Sequence, residues 1–297
     1  MPFKGAMLIS KFSEKRLEKM LKANDVIAQI KYDGVRVQYV DGKIFTRTGK
    51  EIKFPKGSRM ANYMDAFEHP KRIAVDGEML VYTERAGFPL PRKTISGILN
   101  KAIKGTLTVS ECDSYHFFIV AFDTITKDEH DPYIKRFDRI IDLDLPSFIS
   151  STGYVKVESV EKAKDMFKEI RKSGLEGIVL KSTNNSWQPK RVTDMVKMKE
   201  ELTVDLKVVA HEDGKGRCEG MLGALVCETE DGKLRVSVGT GLTDEDRMNP
   251  PPIGSIVEIK YNEVIGSKAN DTLSLFLPVY IQTRNDKTVA DNLKDIQ

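Results

Sequence analysis

Cysteine is scarce in this chain. Cys112, Cys218 and Cys227 form no C-x-x-C pair and are odd in number, which excludes a disulfide framework and a zinc knuckle. Histidine is hardly commoner. His69, His116, His130 and His211 stand far apart, and no H-E-x-x-H spacing occurs. Any metal is therefore expected to be oxygen-ligated and nucleotide-borne. No apolar run approaches the ~18 residues of a membrane span. The start, M-P-F-K-G-A-M-L-I-S-K-F, lacks the apolar core and small-residue cleavage site of a secretory signal. These absences predict an intracellular chain without a membrane partner. Charge imbalance is also slight, with 47 basic and 44 acidic residues and a net +3. A histone-like tail is excluded, whereas a local basic face for a polyanion is not. Neither G-x-G-x-x-G nor G-x-x-x-x-G-K-[ST] is present, so G-K-G-R-C-E-G at 214–220 reads as a β-turn loop.

What is there suits a globular chain of two domains. It has 297 residues, 40% of them hydrophobic. Ser13 is placed to cap a helix running to about Lys22. The run V-I-A-Q-I ends at Lys31, Asp33-Gly34 follows, and V-R-V-Q-Y-V resumes, which predicts a hairpin. Asp41-Gly42 and Asp76-Gly77 also join apolar runs, and residues 44–49 read as another strand. Residues 84–110 read as a loose basic segment with Arg92, Lys93, Lys101 and Lys104, a solvated loop with a short helix or a nucleic-acid contact. Phe117–Asp123 reads as a buried strand and Lys135–Leu143 as a helix. Val160, Ala163, Phe167 and Ile170 recur at helical spacing, with Ser159 to cap the helix and Gly174 to end it. L-E-G-I-V-L-K follows as a short buried strand. Alternation in M-V-K-M-K puts Lys197 and Lys199 on one face. From Val204 on, short β runs separated by turns predict a small barrel or sandwich, with a boundary near residue 201.

Lys31, Glu78, Phe122, Glu176, Lys197 and Lys199 each have an ordinary reading as surface or core residues. Together they meet the needs of nucleotidyl transfer. A lysine attacking an α-phosphate must be held in line and must be unprotonated. Neighbouring cations, Lys197, Lys199 or a metal, favour the neutral amine. Negative charge that builds on phosphoryl oxygens calls for lysines, an arginine and Mg²⁺. Glu176 suits Mg²⁺, Glu78 suits a ribose, and Phe122 offers a face to a base.

In this order, K-Y-D-G-V-R, T-R-T-G, V-D-G-E-M, A-F-D, E-G-I-V-L-K and V-K-M-K resemble the motifs of covalent nucleotidyltransferases. Among these they are most similar to compact ATP-dependent DNA ligases of viral or bacterial type. The tail stretches E-G-M-L-G-A-L-V, V-G-T-G-L-T-D-E-D-R and I-V-E-I-K-Y look like that family's oligonucleotide-binding (OB) barrel. L-P-V-Y-I-Q-T-R-N-D-K looks like its C-terminal motif. The resemblance implies an α+β fold. An adenylation domain of antiparallel sheets and flanking helices would span 1–201, and an all-β OB-fold would span 202–297. It implies ATP with Mg²⁺ or Mn²⁺, and nicked duplex DNA as substrate. It also implies a monomer with no obligatory protein partner.

In the implied reaction Lys31 takes AMP from ATP, passes it to the 5′-phosphate at a nick, and the 3′-hydroxyl displaces it. Gln29 and Ile30 would contact the nucleotide. Arg36 and Arg47 would contact the nucleotide phosphate or ribose and the nick phosphate, Glu78 would hold the ribose, and Phe122 would stack on adenine. Glu176, with Glu78, would place the metal, and Lys197 and Lys199 would grip the α-phosphate. Arg284, Asp286 and Lys287 would meet the pyrophosphate when the barrel closes over the site. Arg92, Lys93, Lys101, Lys104 and the barrel face would hold duplex phosphates.

The chain departs from the family pattern at three positions. Gln29 stands where glutamate is usual, although a glutamine carbonyl still accepts from an adenine amino group. Phe276 stands at a usual arginine, which leaves Arg284 as the motif's arginine. Met195 replaces the aromatic before the paired lysines. Sister chemistries remain open, namely a GTP-using mRNA-capping enzyme and an RNA ligase. A non-catalytic polyanion-binding module is the alternative outside the family. An NAD-dependent ligase is disfavoured by the short stretch before Lys31 and the lack of zinc-finger cysteines.

Overall fold

A computed structural model describes residues 5–67, 72–85, 87–126, 130–266 and 272–296, so His69 lies outside the described residues. In chain order the first elements are β1 (Leu8–Lys11), α1 (Glu14–Ala23), β2 (Val26–Lys31), β3 (Val35–Val40), β4 (Lys43–Thr46), β5 (Glu51–Ile52), α2 (Arg59–Asp65), β6 (Ala74–Thr83) and α3 (Arg92–Lys104). Next come α4 (Val109–Asp113), β7 (Tyr115–Ile125), α5 (Tyr133–Asp142), β8 (Ile149–Ser151), β9 (Val155–Val157), α6 (Val160–Lys172), β10 (Gly177–Ser182) and β11 (Arg191–Lys199). The last are β12 (Leu202–Asp213), β13 (Leu222–Glu228), β14 (Arg235–Val238), α7 (Asp244–Met248), β15 (Ile256–Tyr261), β16 (Glu263–Gly266), β17 (Leu273–Phe276) and β18 (Val279–Thr283). Two units result, Met1–Lys199 and Glu200–Gln297.

The first unit has two sheets. One has the order β1-β11-β10-β2-β9, the other β5-β4-β3-β6-β7-β8. In the first sheet Ala28 pairs with Leu180 and Leu180 with Val196, while Gln29 pairs with Val179 and Val179 with Lys197. Paired residues share a face, so alternation sorts the strands cleanly. Val26, Ala28, Ile178, Leu180, Val196 and Met198 turn to one side and bury against Leu17 and Met20 of α1 and Val160 and Ala163 of α6. Gln29, Lys31, Lys197 and Lys199 turn to the other. Ser159 caps α6 by accepting from the Lys162 amide, and Gly174 ends it with φ at +78°. Ser13 sits at the N-cap of α1 without a side-chain cap.

The second sheet buries Val37, Tyr39, Val75, Met79, Ile119 and Ala121 against Ile95, Leu99 and Ala102 of α3 and Tyr133 and Phe137 of α5. Asp41-Gly42 is a true hairpin turn, with φ positive at both residues. The other two Asp-Gly pairs are not turns. At Asp33-Gly34 the chain leaves one sheet and enters the other, because β2 pairs with β9 and β10 while β3 pairs with β4 and β6. Gly34 is there for proximity, since a Cβ would sit 2.3 Å from the Met79 carbonyl oxygen. Asp76-Gly77 lies inside the continuous strand β6. A Cβ on Gly77 would meet Ile119 Cγ2 at 2.6 Å and the Val120 oxygen at 2.8 Å, where the register against β7 shifts and leaves Phe122 as the extra residue. The strand expected over 44–49 ends at Thr46, and the basic segment is largely the helix α3.

The second unit is a five-stranded sheet, β14-β13-β12-β15-β18, with a separate β16–β17 pair and a bridge from Leu234 to Leu273. Leu206, Val208, Leu225, Val236, Val257 and Ile259 form its core. Among the described residues no helix is long and apolar enough to cross a membrane.

Candidate active site

The polar faces of the two sheets in the first unit line one cleft. Gln29, Ile30, Lys31 and Tyr32 come from β2 and its exit, Val179 and Lys181 from β10, and Met195 from β11. Arg36, Glu78, Phe122 and Asp123 come from the other sheet. Lys31 ends β2 and its ammonium pairs with the Glu176 carboxylate; the two side chains are 17% and 20% exposed, so the amine is reachable but not mobile in open solvent. Lys197 and Lys199 lie on the same face two strands away, in register with Val179 and Gly177. Burial, then the charges of Lys31 and Lys199, hold the Lys197 ammonium below the usual lysine range.

Glu78 faces the cleft from β6, opposite Arg36 in the β3 register. Burial pushes its carboxyl up to about 7, against the pull of Lys31, Arg92 and Arg36. It therefore exchanges a proton near neutrality and can both donate to and accept from hydroxyls. Arg36 is held by a bidentate pair with buried Asp76, at 2.9 and 2.6 Å, and by the Met7 carbonyl. Its guanidinium lies 5.4 Å from the centroid of the Phe122 ring. Behind Phe122, Asp123 binds Arg136 at 2.9 and 3.0 Å, a fully buried bidentate pair.

Sequence reasoning gave no role to Lys181, which lines this cleft, or to Tyr133, which meets Gln29. Lys181 is 5% exposed, 4.8 Å from the Phe122 centroid and 4.4 Å from that of Tyr133, with its amine 3.0 Å from the Tyr133 hydroxyl. Burial brings the Lys181 ammonium down to about 7. Its signal was present, since alternation from Gly177 through Val179 puts Lys181 on the face of Lys197. Tyr133, on α5, is fully buried and its hydroxyl meets Gln29 Oε1 at 2.9 Å and the Phe122 carbonyl at 2.7 Å. Gln29 Nε2 is buried without a hydrogen-bond partner. No local pattern marks Tyr133.

Arg47 is exposed in the turn after β4. On α3, Arg92 reaches Asp33 at 4.0 Å and Lys101 binds Glu111 at 2.7 Å, so this basic segment is partly neutralised. Lys93 and Lys104 are exposed. Arg284, Asp286 and Lys287 belong to the second unit. There Arg284 binds Asp205 at 2.9 Å and Asp286 at 2.7 Å, and Lys287 also binds Asp205. The Arg284 guanidinium holds the Asp286 carboxyl down at about 2. Among the described residues no three His, Cys, Asp or Glu side chains converge as a metal cage.

The model of the ATP-dependent DNA ligase domain matches residues 6–199. The chain belongs to the ATP-dependent DNA ligase family. It is accordingly an enzyme that seals nicks in duplex DNA at the expense of ATP. The DNA ligase OB-like domain matches residues 213–269. The DNA ligase of Enterobacteria phage T4 is 28% identical over 360 residues, covering 99% of this chain and 71% of its own. The ligase of Haemophilus influenzae is 28% identical over 244 residues, 80% of each chain. A solved Lig E DNA ligase superposes with a TM-score of 0.71 at 22% identity, over 95% of this chain and all of that one, a likeness of fold.

Proposed function

We propose that Lys31 is the residue that carries AMP, and that residues 1–201 form the adenylation domain and 202–297 the OB-fold. The supporting observation is the cleft itself. A partly buried amine on a strand end, paired with Glu176, shares one face with Lys197 and Lys199 and looks across at Glu78 and Phe122. That arrangement holds a nucleophile against a phosphate and a ribose at fixed spacing. ATP seats its adenine on Phe122 beside the Gln29 amide, with Ile30 also lining the nucleotide cleft, and its ribose on Glu78. Lys197 and Lys199 take up charge developing on the α-phosphate.

Lys31 must leave Glu176 and lose its proton before it attacks phosphorus. Mg²⁺, or Mn²⁺, fits the donors present. A hard cation of this kind takes one or two carboxylates and completes its shell with phosphate oxygens and water. Glu176, with Glu78, would hold it, and when bound it supplies charge neutralisation on the phosphates. Arg284 and Lys287 contact the pyrophosphate in the first step, and Arg47 contacts phosphate or ribose in the later ones. The enzyme acts as a monomer on nicked duplex DNA inside the cell.

Incubation with Mg²⁺ and α-labelled ATP is expected to label the chain covalently, and Lys31→Ala to abolish the label. A label that survives Lys31→Ala, or appears with GTP and not ATP, refutes this reading. Nicked duplex DNA set against nicked RNA hybrids then reads how far RNA strands are tolerated.

A further inference from the structure

The Tyr133 hydroxyl is crowded. It lies 2.7 Å from the Phe122 carbonyl oxygen, 2.9 Å from the near end of the Gln29 amide, and 3.0 Å from Lys181 Nζ. A phenol has one proton to donate. The Phe122 carbonyl can only accept, and at 2.7 Å it stands nearest. Lys181 lies 3.4 Å from that carbonyl and closer to the phenol oxygen, so its amine donates to Tyr133. The proton of Tyr133 then goes to Phe122, and none is left for Gln29. The end of the Gln29 amide that meets Tyr133 must itself donate. A half-turn of the amide, which changes only which atom is oxygen and which nitrogen, achieves this. It completes three hydrogen bonds at the phenol oxygen, and it moves the amide oxygen to the buried, unpartnered position now held by Nε2.

We propose that Tyr133 is a positioning residue for base selection, turning the Gln29 amide so that its NH₂ meets the phenol and its carbonyl oxygen faces the nucleotide cleft. This inference rests on the reading of the cleft as an adenylation site at Lys31. A carbonyl oxygen there accepts from the 6-amino group of adenine and opposes the 6-oxo group of guanine. An NH₂ in the same place would do the reverse. Glutamine alone is ambiguous between the two purines. Tyr133, itself engaged by Lys181 and Phe122, removes the ambiguity.

The test is the ratio of ATP to GTP use in Lys31 labelling, measured as kcat/KM. The wild-type chain is expected to favour ATP. Tyr133→Phe frees the amide to turn, and the ratio is expected to fall about tenfold, the worth of one buried hydrogen bond. Gln29→Glu in the Tyr133→Phe background should restore the ratio, because a carboxylate has no NH₂ to present. A merely structural Tyr133 would lower both nucleotides together and would not be rescued by glutamate. An unchanged ratio in Tyr133→Phe overturns the proposal. So does a nuclear Overhauser spectrum of the wild-type chain that shows no cross-peak between the Gln29 amide protons and the Tyr133 ring, a measurement that needs no variant. Absence of wild-type labelling by either nucleotide overturns the Lys31 reading, and this inference with it.

Discussion

Lys181→Met should change how the stability of the first unit depends on pH. Lys181 is 5% exposed, and burial brings its ammonium from the ordinary 10.5 down to about 7. Between those two values the folded chain holds a neutral amine while the unfolded chain holds a charged one. The unfolded state then binds more protons, so stability rises with pH across the window and is lost as pH falls towards 7. One proton is worth about 1.4 kcal/mol per pH unit, so the full displacement amounts to roughly 5 kcal/mol. Methionine keeps the length and apolar stem without the charge. The wild-type chain should therefore gain about 3 kcal/mol relative to Lys181→Met between pH 7 and 9.5. Groups that do not interact with Lys181 cancel in that difference. The assay is urea unfolding at a series of pH values, followed by tryptophan fluorescence. The chain has one tryptophan, and Trp187 is 2% exposed in the core of the first unit, so it reports that unit's unfolding. A difference between the two chains that does not vary with pH would refute the buried-amine argument.

Gly77→Ala should destabilise the same unit by about 2 kcal/mol in the same assay, because its Cβ would fall 2.6 Å from Ile119 and 2.8 Å from a backbone oxygen. A loss under about 0.5 kcal/mol would mean that the β6–β7 crossing yields easily. If Arg284 meets the pyrophosphate as proposed, with Asp286 holding its guanidinium, Arg284→Ala and Asp286→Asn should slow lysyl-AMP formation and leave the sealing of a pre-adenylated nick unchanged; equal effects on both steps would refute a pyrophosphate role. Lys93→Ala with Lys104→Ala should lower the salt slope of nicked-duplex binding by about 1 for each lysine that grips a phosphate, whereas Lys101→Ala, whose amine already binds Glu111, should not. An unchanged slope in the double variant removes α3 from the DNA-binding surface.

Legibility followed the range of the physics. Strand alternation is local, so the shared face of Lys197 and Lys199 could be read directly, and Gln29 and Lys31 sort by the same rule. Helix α6 was equally plain, with its cap and its glycine stop. The turn signals were read less well, because Asp-Gly states what the backbone can do and not which strands it joins. Asp41-Gly42 is a hairpin, Asp33-Gly34 a crossing between sheets, and Asp76-Gly77 a close approach within one strand. Only the register of partners distant in sequence separates the three. On α3, Ile95, Ile98, Leu99 and Ala102 carry helical spacing. Its basic residues obscured that spacing by suggesting a loop. Tyr133 lies 104 positions from Gln29, and no local pattern links them.

Arg36 shows how the two sheets divide the work. A guanidinium has five N–H groups. Two of them bind Asp76 and a third binds the Met7 carbonyl, which leaves two. Asp76 is buried and carries this arginine in a bidentate pair, a costly arrangement to bury and one that fixes the guanidinium plane. The plane so fixed lies over one side of the Phe122 environment, and Lys181 approaches the same ring. Phe122 itself is the bulged residue of β7, turned into the cleft because the strand has one residue too many opposite Asp76 and Gly77. Arg36 is thus first a strut that fixes the cleft wall beside Phe122, and a phosphate or ribose contact, as proposed for it, would have to come from the two N–H groups left over. Replacing it by lysine would keep the charge and lose the plane, and the wall would be expected to suffer before the charge balance does.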